Sequence, residues 1–570
     1  MKNTANTMKI CVTSIVVMTG LALSAQAADE SLYRKLSIDD FRDHLKGGWI
    51  GQMAGVGWGQ PTEFKVKGRI MLDSEMPPWN PDMVNQQDND DCYVEQTFIR
   101  TLELHGFDVS FKQAGIDFAN TKFPLCHANA VGRDNVRRGV APPDSGHPAF
   151  NKHCDDIDYQ IEADYSGLIS PGCPNSVIAL GDKFGRIMNY GDGLYGGQFV
   201  GGMYAEAYFE HDMVKVVGAG LKCIPAESQY AEMVRDMLVW YQQDPENWEK
   251  TWGLVEEKYH KDKNYTHTLC CAPGAEGGFS IDAKLNGAYI IMGLLYGKGD
   301  PDKTIRIACR CGQDSDCNPA NAGGVLFASM GYAKVPERFK SALNEKKLFW
   351  SSTYDWPTML KVHEQLGRQV VVKYGGRIET DSSGKEMWVI PVQTAKPGPV
   401  EKSWMPGPSA GIKYAEDERA TMPQSIFEAL EKFAPGWWIE YCHDGTEIPV
   451  GLMPEKLGRK NVLVTVAARQ DIPCVLITRA EVPVGRKTCL KFAAGHQPAG
   501  EWELVVKAEG KELLKKIVGK ETAPDGWLMA EVDLTEYAGN AVKLELLQKA
   551  TGPSHVAGYW ADIRIESKDN

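Results

Sequence analysis

Beyond its first 25 residues, the 570-residue chain has no apolar run that reaches the roughly 18 uninterrupted residues of a membrane span. It also has no surplus of positive charge: 62 Lys and Arg stand against 75 Asp and Glu, a formal net charge of −13. That balance excludes the basic footprint which a nucleic-acid phosphate backbone calls for, so no nucleic-acid partner is expected. Internal repeats and low-complexity tracts are missing as well, so no repeat architecture is expected.

The N-terminus does have a pattern. Lys2 and Lys9 precede an apolar stretch from Ile10 to Ala25, which ends in Ala25-Gln26-Ala27. Charged, apolar and small-x-small segments in that order describe a secretory signal over residues 1–27, with cleavage after Ala27. The mature chain is therefore expected to be secreted or periplasmic, and losing the two lysines takes its charge from −13 to −15. Of the 14 cysteines, Cys11 leaves with the signal and 13 remain. The odd number leaves at least one thiol unpaired, while export permits disulfides. Cys270-Cys271 with Cys309-x-Cys311 fits a disulfide or soft-metal cluster, and equally fits buried structural thiols.

A chain of this length exceeds one ordinary core, at roughly 100–200 residues per domain. Residues 28–375 read as helical. Ser37-Ile-Asp-Asp40 resembles a capping box ahead of Phe41 and Leu45. Asp90 and Asp91 precede Val94, Phe98 and Leu102, spaced for one helical face, and Gly106 supplies a stop. Asn318-Pro319 opens a segment rich in Ala, Gly and Ser that would admit another backbone closely. Residues 376–440, with Lys396-Pro-Gly-Pro399 and Met405-Pro-Gly-Pro408, read as linker or strap, with one helix over Ser425 to Phe433. Residues 441–570 hold short β-rich runs at 462–466, 474–478, 502–506, 527–532, 542–546 and 559–565, separated by turn residues. Regular short strands argue for a β-sandwich. The expected fold is thus multidomain, an all-α bundle followed by a β-sandwich. Trp502, Trp527, Tyr559 and Trp560 either offer sugar-stacking platforms there or fill its core.

Three stretches carry chemistry. Asp88-Asn89-Asp90-Asp91 places three acids at a helix start, where the dipole and capping favour them but mutual repulsion calls for a cation. Gly312-Gln-Asp314-Ser-Asp316-Cys317-Asn318 repeats that arrangement before another helix. Converging carboxylates suit magnesium, manganese or calcium better than zinc. Gly47-Gly-Trp-Ile-Gly51 through Gly59-Gln-Pro-Thr-Glu63 holds six glycines at 47, 48, 51, 55, 57 and 59, which weaken an isolated helix and so need a packing reason. Glu63 falls in the loop at its end.

The ordered set resembles the ADP-ribosylglycohydrolase family: Gly-x-x-x-Gly with Gly-x-Pro-x-Glu, then an Asp-Asp pair opening a helix, then Gly-x-Asp-x-Asp-x-Asn before a small-residue helix. The resemblance spans roughly residues 37 to 335. It implies an orthogonal all-α bundle that holds one or two divalent ions, magnesium foremost with manganese or calcium as alternatives. It also implies hydrolysis at the anomeric carbon of ADP-ribose. On it, Asn89, Asp90, Asp91, Asp314, Asp316 and Cys317 fall on metal-ligand positions, and Glu63 on the loop acid. The family's usual Thr-Asp-Asp-Thr is here Asn89-Asp90-Asp91-Cys92, its second threonine ligand is Cys317, and an expected Gly-Asp is Gly55-Val56. A thiol is a poor ligand for magnesium.

Asp155-Asp156-Ile-Asp158 through Glu162 and Asp164, then Asn189-Tyr190-Gly-Asp192, add acids and aromatics of the kind that grip neutral sugars. Together with export, they move the expected substrate from ADP-ribose toward a furanose-like or other glycosyl group. Glu63 and Asp164 are the expected catalytic carboxyls. Asp156, Asp158, Glu162, Asn189, Tyr190 and Asp192 are expected to bind a small-molecule or carbohydrate substrate, and His127 and His211 to be structural. Two rivals remain at this level: an inactive sugar-binding protein that keeps the acidic pocket, and a structural disulfide or zinc protein built on the cysteines.

Overall fold

The computed structural model describes residues 32–569 apart from 122, 267–279, 351, 353, 420–424, 441, 443–447, 468–472, 499 and 553–555. The expected signal segment, its expected cleavage point after Ala27 and the pair Cys270-Cys271 lie outside the described residues.

A strand, β1 (Tyr33–Ser37), leads directly into the 22-residue helix α1 (Ile38–Gly59). Ser37 caps it by accepting the Asp40 N–H at 3.0 Å, and Asp39 and Asp40 occupy its first turn. Along α1, Gly47, Gly51, Gly55 and Gly59 recur every four residues and so share one face. A Cβ on each would stand 2.3, 2.3, 2.1 and 1.9 Å from the carbonyl oxygens of Phe327, Gly323, Pro319 and Ser315. Those partners are also four residues apart and run the opposite way, so the helix Cys317–Met330 lies antiparallel on α1, backbone against backbone. This is the packing reason for the glycines.

The 16-residue α2 (Asp90–His105) is capped by the Asn89 side chain, which accepts the Asp91 N–H at 3.0 Å, and it ends at Gly106, whose φ of +72° suits glycine. Val94, Phe98 and Leu102 turn into the core, as their spacing predicts. Next come α3 (Phe111–Ala119) and α4 (His127–Arg137). The helices Asp192–Ala207, Ala283–Gly297 and Trp356–Lys373 complete one apolar core around Trp49, Phe98, Tyr159, Tyr204 and Tyr289. Every residue of Ala283–Gly297 is buried, which makes it the central helix.

The chain then forms β2 (Arg377–Thr380) and β3 (Glu386–Pro391). β3 pairs antiparallel with β1, Tyr33 opposite Pro391, in a three-stranded sheet of order β1-β3-β2. Trp388 of β3 packs on Phe41 of α1 with ring centroids 4.3 Å apart. Residues 396–419 follow as a strap over the helical body. The N–H groups of Ala410 and Ile412 donate to the Asp144 carboxylate at 2.7 and 2.9 Å, Ser403 Oγ donates to Asp155 at 2.8 Å, and the Tyr414 hydroxyl donates to Lys112 O at 2.8 Å.

After the helix Ser425–Phe433 come β4 (Trp438–Glu440), β5 (Gly451–Lys456), β6 (Arg459–Val466), β7 (Cys474–Glu481), β8 (Arg486–His496), β9 (Trp502–Ala508), β10 (Lys511–Val518), β11 (Trp527–Asp533), β12 (Ala541–Ala550) and β13 (Ala557–Asp569). They form two five-stranded antiparallel sheets, β10-β9-β12-β7-β4 and β11-β8-β13-β6-β5, the expected sandwich. Trp502 and Trp560 are wholly buried in its core with centroids 5.2 Å apart, their indole N–H groups donating to Gly495 O and Thr465 Oγ1. Tyr559 is buried too, so of the four aromatic candidates for a sugar platform these three fill the core instead.

Gly55→Ala should destabilise the helical body by about 1–3 kcal/mol through overpacking, or about 2–4 °C of melting temperature per kcal/mol. Gly218 has nothing within 4 Å of its built Cβ, so Gly218→Ala is the control and should leave thermal denaturation unchanged or slightly improved. Equal melting temperatures for the two variants would contradict the backbone contact.

Candidate metal centre and active site

The contact between α1 and the helix Cys317–Met330 delivers two loops to one place. After Gly59, residues 60–66 run beside residues 312–315. The Phe64 N–H donates to Gln313 O at 3.0 Å, the Gln313 N–H donates to Val66 O at 2.9 Å, and the Thr62 and Ser315 hydroxyls meet at 2.9 Å. Glu63 is thereby held, half-buried, within electrostatic reach of Asp314. From the middle of α1, Gln52 Nε2 donates to Asp91 O at 3.1 Å and to the Glu95 carboxylate at 2.6 Å, which fixes the start of α2. Asn89 Nδ2 then donates to Asp316 Oδ2 at 3.3 Å, and the Cys317 thiol donates to Asp91 Oδ2 at 3.1 Å. Donor atoms of Asp91, Asp316 and Cys317 all lie within 4.8 Å of one another. Two acidic stretches far apart in sequence thus form one cluster.

Its electrostatics call for a cation. Burial, reinforced by Asp316 and Asp90, pushes the Asp91 carboxyl well above the usual range. Burial, with Asp314 next, does the same to Asp316. Asp314 is pushed up to about 7, by burial first and then by the charges of Glu63 and Asp91. Asp91 Oδ1 is fully enclosed and has no hydrogen-bond partner among the described residues. An orphaned carboxylate oxygen beside two more buried acids fits a divalent ion, since carboxylates buried without positive charge cost several kcal/mol each, order of magnitude. Asp91, Asp314 and Asp316 would hold it, with Asn89 and half-buried Asp90 alongside. Burial holds the Cys317 thiol protonated, so it serves as a donor to Asp91. Asp88 points elsewhere, exposed and paired with Lys347 at 2.7 Å.

The other predicted residues divide. Asp156, Asp158 and Glu162 sit next to this cluster: the charge of Asp90 reaches both Asp158 and Glu162, and Ile157, Ile161 and Ile281 pack on Cys317 with Phe64 against them. Asp164 lies behind Asp91 with both oxygens engaged, by the Tyr204 hydroxyl at 2.7 Å and Asn321 Nδ2 at 2.8 Å. Asn189 is spent on backbone, accepting the Tyr159 N–H at 2.9 Å and donating to the carbonyls of Cys154 and Asp156 at 3.0 Å. Tyr190 faces the strap, where it lines a cavity of about 470 Å³ with Asp144, His147, Arg186 and Met405. Asp192 lies 3.3 Å from Lys284 Nζ, which also meets Asp282 at 3.1 Å. Burial works against the charge of Lys284, but Asp282, Asp192 and Asp155 outweigh it and hold its pKa above the ordinary lysine value. His211 meets Ser329 Oγ at 3.1 Å. Cys309 and Cys311 carry free thiols. Sequence reasoning did not single out Glu95, Asn129, Asp282 or Lys284. Glu95 and Lys284 look like solvated helix charges, and only tertiary burial reveals them.

A mainly helical body gathers acids from two distant helix starts beside a loop carboxylate, and a β-sandwich follows it. The model of the ADP-ribosylglycohydrolase family matches residues 37–370, and the chain belongs to that family. A solved ADP-ribosylglycohydrolase-related protein complex matches at 16% identity and a TM-score of 0.35, covering 58% of this chain and 100% of that one. A solved structure described as "CBM4 structure and function" matches at 9% identity and a TM-score of 0.17, over 24% of this chain and 99% of that one. No curated protein matches the chain. The family assignment rests on the match over residues 37–370.

Two outcomes follow for the isolated protein. Adding magnesium, manganese or calcium to chelator-stripped protein should raise its melting temperature, by about 2.7 kcal/mol of stability at a hundredfold excess over Kd. Asp316→Asn should abolish most of that gain in a differential scanning titration. The second outcome concerns pH. Burial pushes Asp164 up to about 8 in the fold, against roughly 3.9 in an unfolded chain, so the native state holds this proton longer. The metal-free protein should therefore lose stability as pH rises from about 4 toward about 8, and Asp164→Asn should flatten that slope in melting curves.

Proposed function

We propose that the protein hydrolyses a glycosidic bond, N- or O-linked, at the anomeric carbon of a ribose-like or other glycosyl substrate, using a divalent ion. Magnesium is the first choice, with manganese and calcium as alternatives, and the signal-like residues 1–27 support action outside the cytoplasm. One observation carries this reading: half-buried Glu63 is brought beside Asp314 in the cluster where Asp91 and Asp316 converge.

When bound by Asp91, Asp314 and Asp316, a divalent ion supplies a Lewis acid that orients sugar hydroxyls and lowers the pKa of water. The chain's own residues supply the rest. Glu63 sits on a loop clamped by hydrogen bonds at Thr62 and Phe64, so its carboxylate is held in place while still reaching solvent. That suits it to take a proton from the attacking water or give one to the leaving group. Asp164 is enclosed and doubly hydrogen-bonded, which suits a positioning residue that steadies the core behind Asp91.

A metal-supplemented screen against aryl furanosides, aryl pyranosides, nucleosides and ADP-ribosylated substrates should reveal turnover of one class. On that substrate Glu63→Gln should lower kcat by about 10²- to 10⁴-fold with KM and melting temperature little changed. Saturable sugar binding without turnover in the unmodified protein would instead favour the inactive sugar-binding alternative.

A further inference from the structure

A second group of donors lies next to the site just described. His127 opens α4, half-buried, and its ring has donor atoms within 4.8 Å of carboxylate oxygens of Asp156 and Asp158. The two carboxylates are held from several sides. The Ala128 N–H donates to Asp156 Oδ2 at 3.2 Å, the Asn129 N–H donates to Asp158 Oδ2 at 2.6 Å, and the Asp158 N–H donates to Asp156 Oδ1 at 3.2 Å. His153 adds a second imidazole, its Nδ1 3.5 Å from Asp156 Oδ2 and its ring centroid 5.5 Å from that of His127.

Capping of α4 accounts for the oxygens that meet Ala128 and Asn129, but it leaves Glu162 unexplained. Glu162 is wholly buried and its Oε1 is bonded by the Asn129 side chain, whose own backbone N–H holds Asp158. Glu162 lies near enough to Asp158 to feel its charge, and its Oε2 has no hydrogen-bond partner among the described residues. Asn129 Oδ1, beside it, is likewise enclosed and unpartnered. Hence two buried oxygen acceptors without a partner among the described residues lie beside Asp158, one of the two carboxylates that meet the imidazole.

The donor set differs from that of the first cluster. Asp91, Asp314 and Asp316 offer hard oxygens, whereas His127 with Asp156, Asp158 and Glu162 offers imidazole nitrogen plus carboxylate, which favours zinc and its first-row neighbours over magnesium or calcium. Zinc sits about 2.0–2.2 Å from such donors in a tetrahedron, so two of its ligands stand roughly 3.4 Å apart. The donor atoms of His127, Asp156 and Asp158 lie within 4.8 Å of one another, so a bound ion would draw them closer together. We propose that His127, Asp156 and Asp158, with Glu162 as a fourth donor, form a separate binding site for a first-row transition ion of the zinc class. The site is defined by its own ligands and stands whether or not the hydrolytic reading does.

The full mature chain, stripped by chelator and titrated with zinc or cobalt(II), provides the test. Bound metal would be counted by mass spectrometry and placed by anomalous scattering at the metal edge. The expected result is an anomalous peak among His127, Asp156 and Asp158 that His127→Ala removes, lowering the bound zinc by one equivalent. Asp316→Asn should leave that peak in place. A peak confined to Asp91 and Asp316, or an unchanged zinc count in His127→Ala, overturns the proposal. If His127→Ala is misfolded by circular dichroism, the count in Asp158→Asn and the peak in the unmodified crystal decide it in the same way. None of these readouts depends on turnover, so failure of the substrate screen leaves them intact.

Discussion

The site depends on how closely two helices approach. Four glycines of α1 meet four carbonyl oxygens along the Ser315–Phe327 stretch, and a Cβ on any of them would stand only 1.9–2.3 Å from an oxygen. Contacts of this kind have one register. A slip of a single turn, about 5.4 Å, would part Gly59 from Ser315 and carry Glu63 away from Asp314. Because α1 also holds the start of α2 through Gln52, one helix sets the positions of all three acidic stretches at once. Rigid helix backbone, rather than flexible side chains, therefore sets the geometry of the acids.

That precision comes with an electrostatic cost, and the protein meets it in two ways. Around Lys284 the body carries its own cation: the fully buried ammonium lies against Asp192 and Asp282, and Asp155 is close enough to add to the field. Asp155 is still pushed up to about 6, by burial and then by Asp282, so even this flank is finely balanced. Around Asp91, Asp316, Asp158 and Glu162 burial pushes the carboxyls upward and neighbouring acids add to it, with half-buried Asp90 acting on all four. An internal lysine makes the first group structural scaffold. Among the described residues the second group has no such lysine, and it is the one that could hold a metal ion.

Much of this was legible because the informative residues act locally. Ser37, Asn89 and Gly106 announce helix ends through capping geometry, and the glycines of α1 announce a close neighbour. The order of Glu63, Asp90-Asp91 and Asp314-x-Asp316 was enough to place the family. Less was visible where the deciding partner is distant. β1 and β3 pair across some 350 residues, and neither reads strongly as a strand alone. β10 is mostly solvent-facing, so Lys511–Val518 lacks a clear alternation. Asn189 and Asp192 looked like sugar contacts in a Gly- and Tyr-rich run, yet one holds backbone and the other meets Lys284. His127 reads as an ordinary helix residue until the 156–158 segment is set against it.

The pairing of β1 with β3 also separates ancestry from mechanics. The family match stops at residue 370, but the strand that completes the first sheet lies at 386–391, and the segment that hydrogen-bonds both oxygens of Asp144 and Oδ2 of Asp155 lies at 403–412. A helical body cut at the homologous boundary would have a bare strand edge beside Phe41 and two unsatisfied carboxylates. The smallest autonomous piece of this molecule is therefore longer than its inherited core. Residues 396–419 belong to that core as a fitted collar, tied down at Asp144, Asp155 and Lys112.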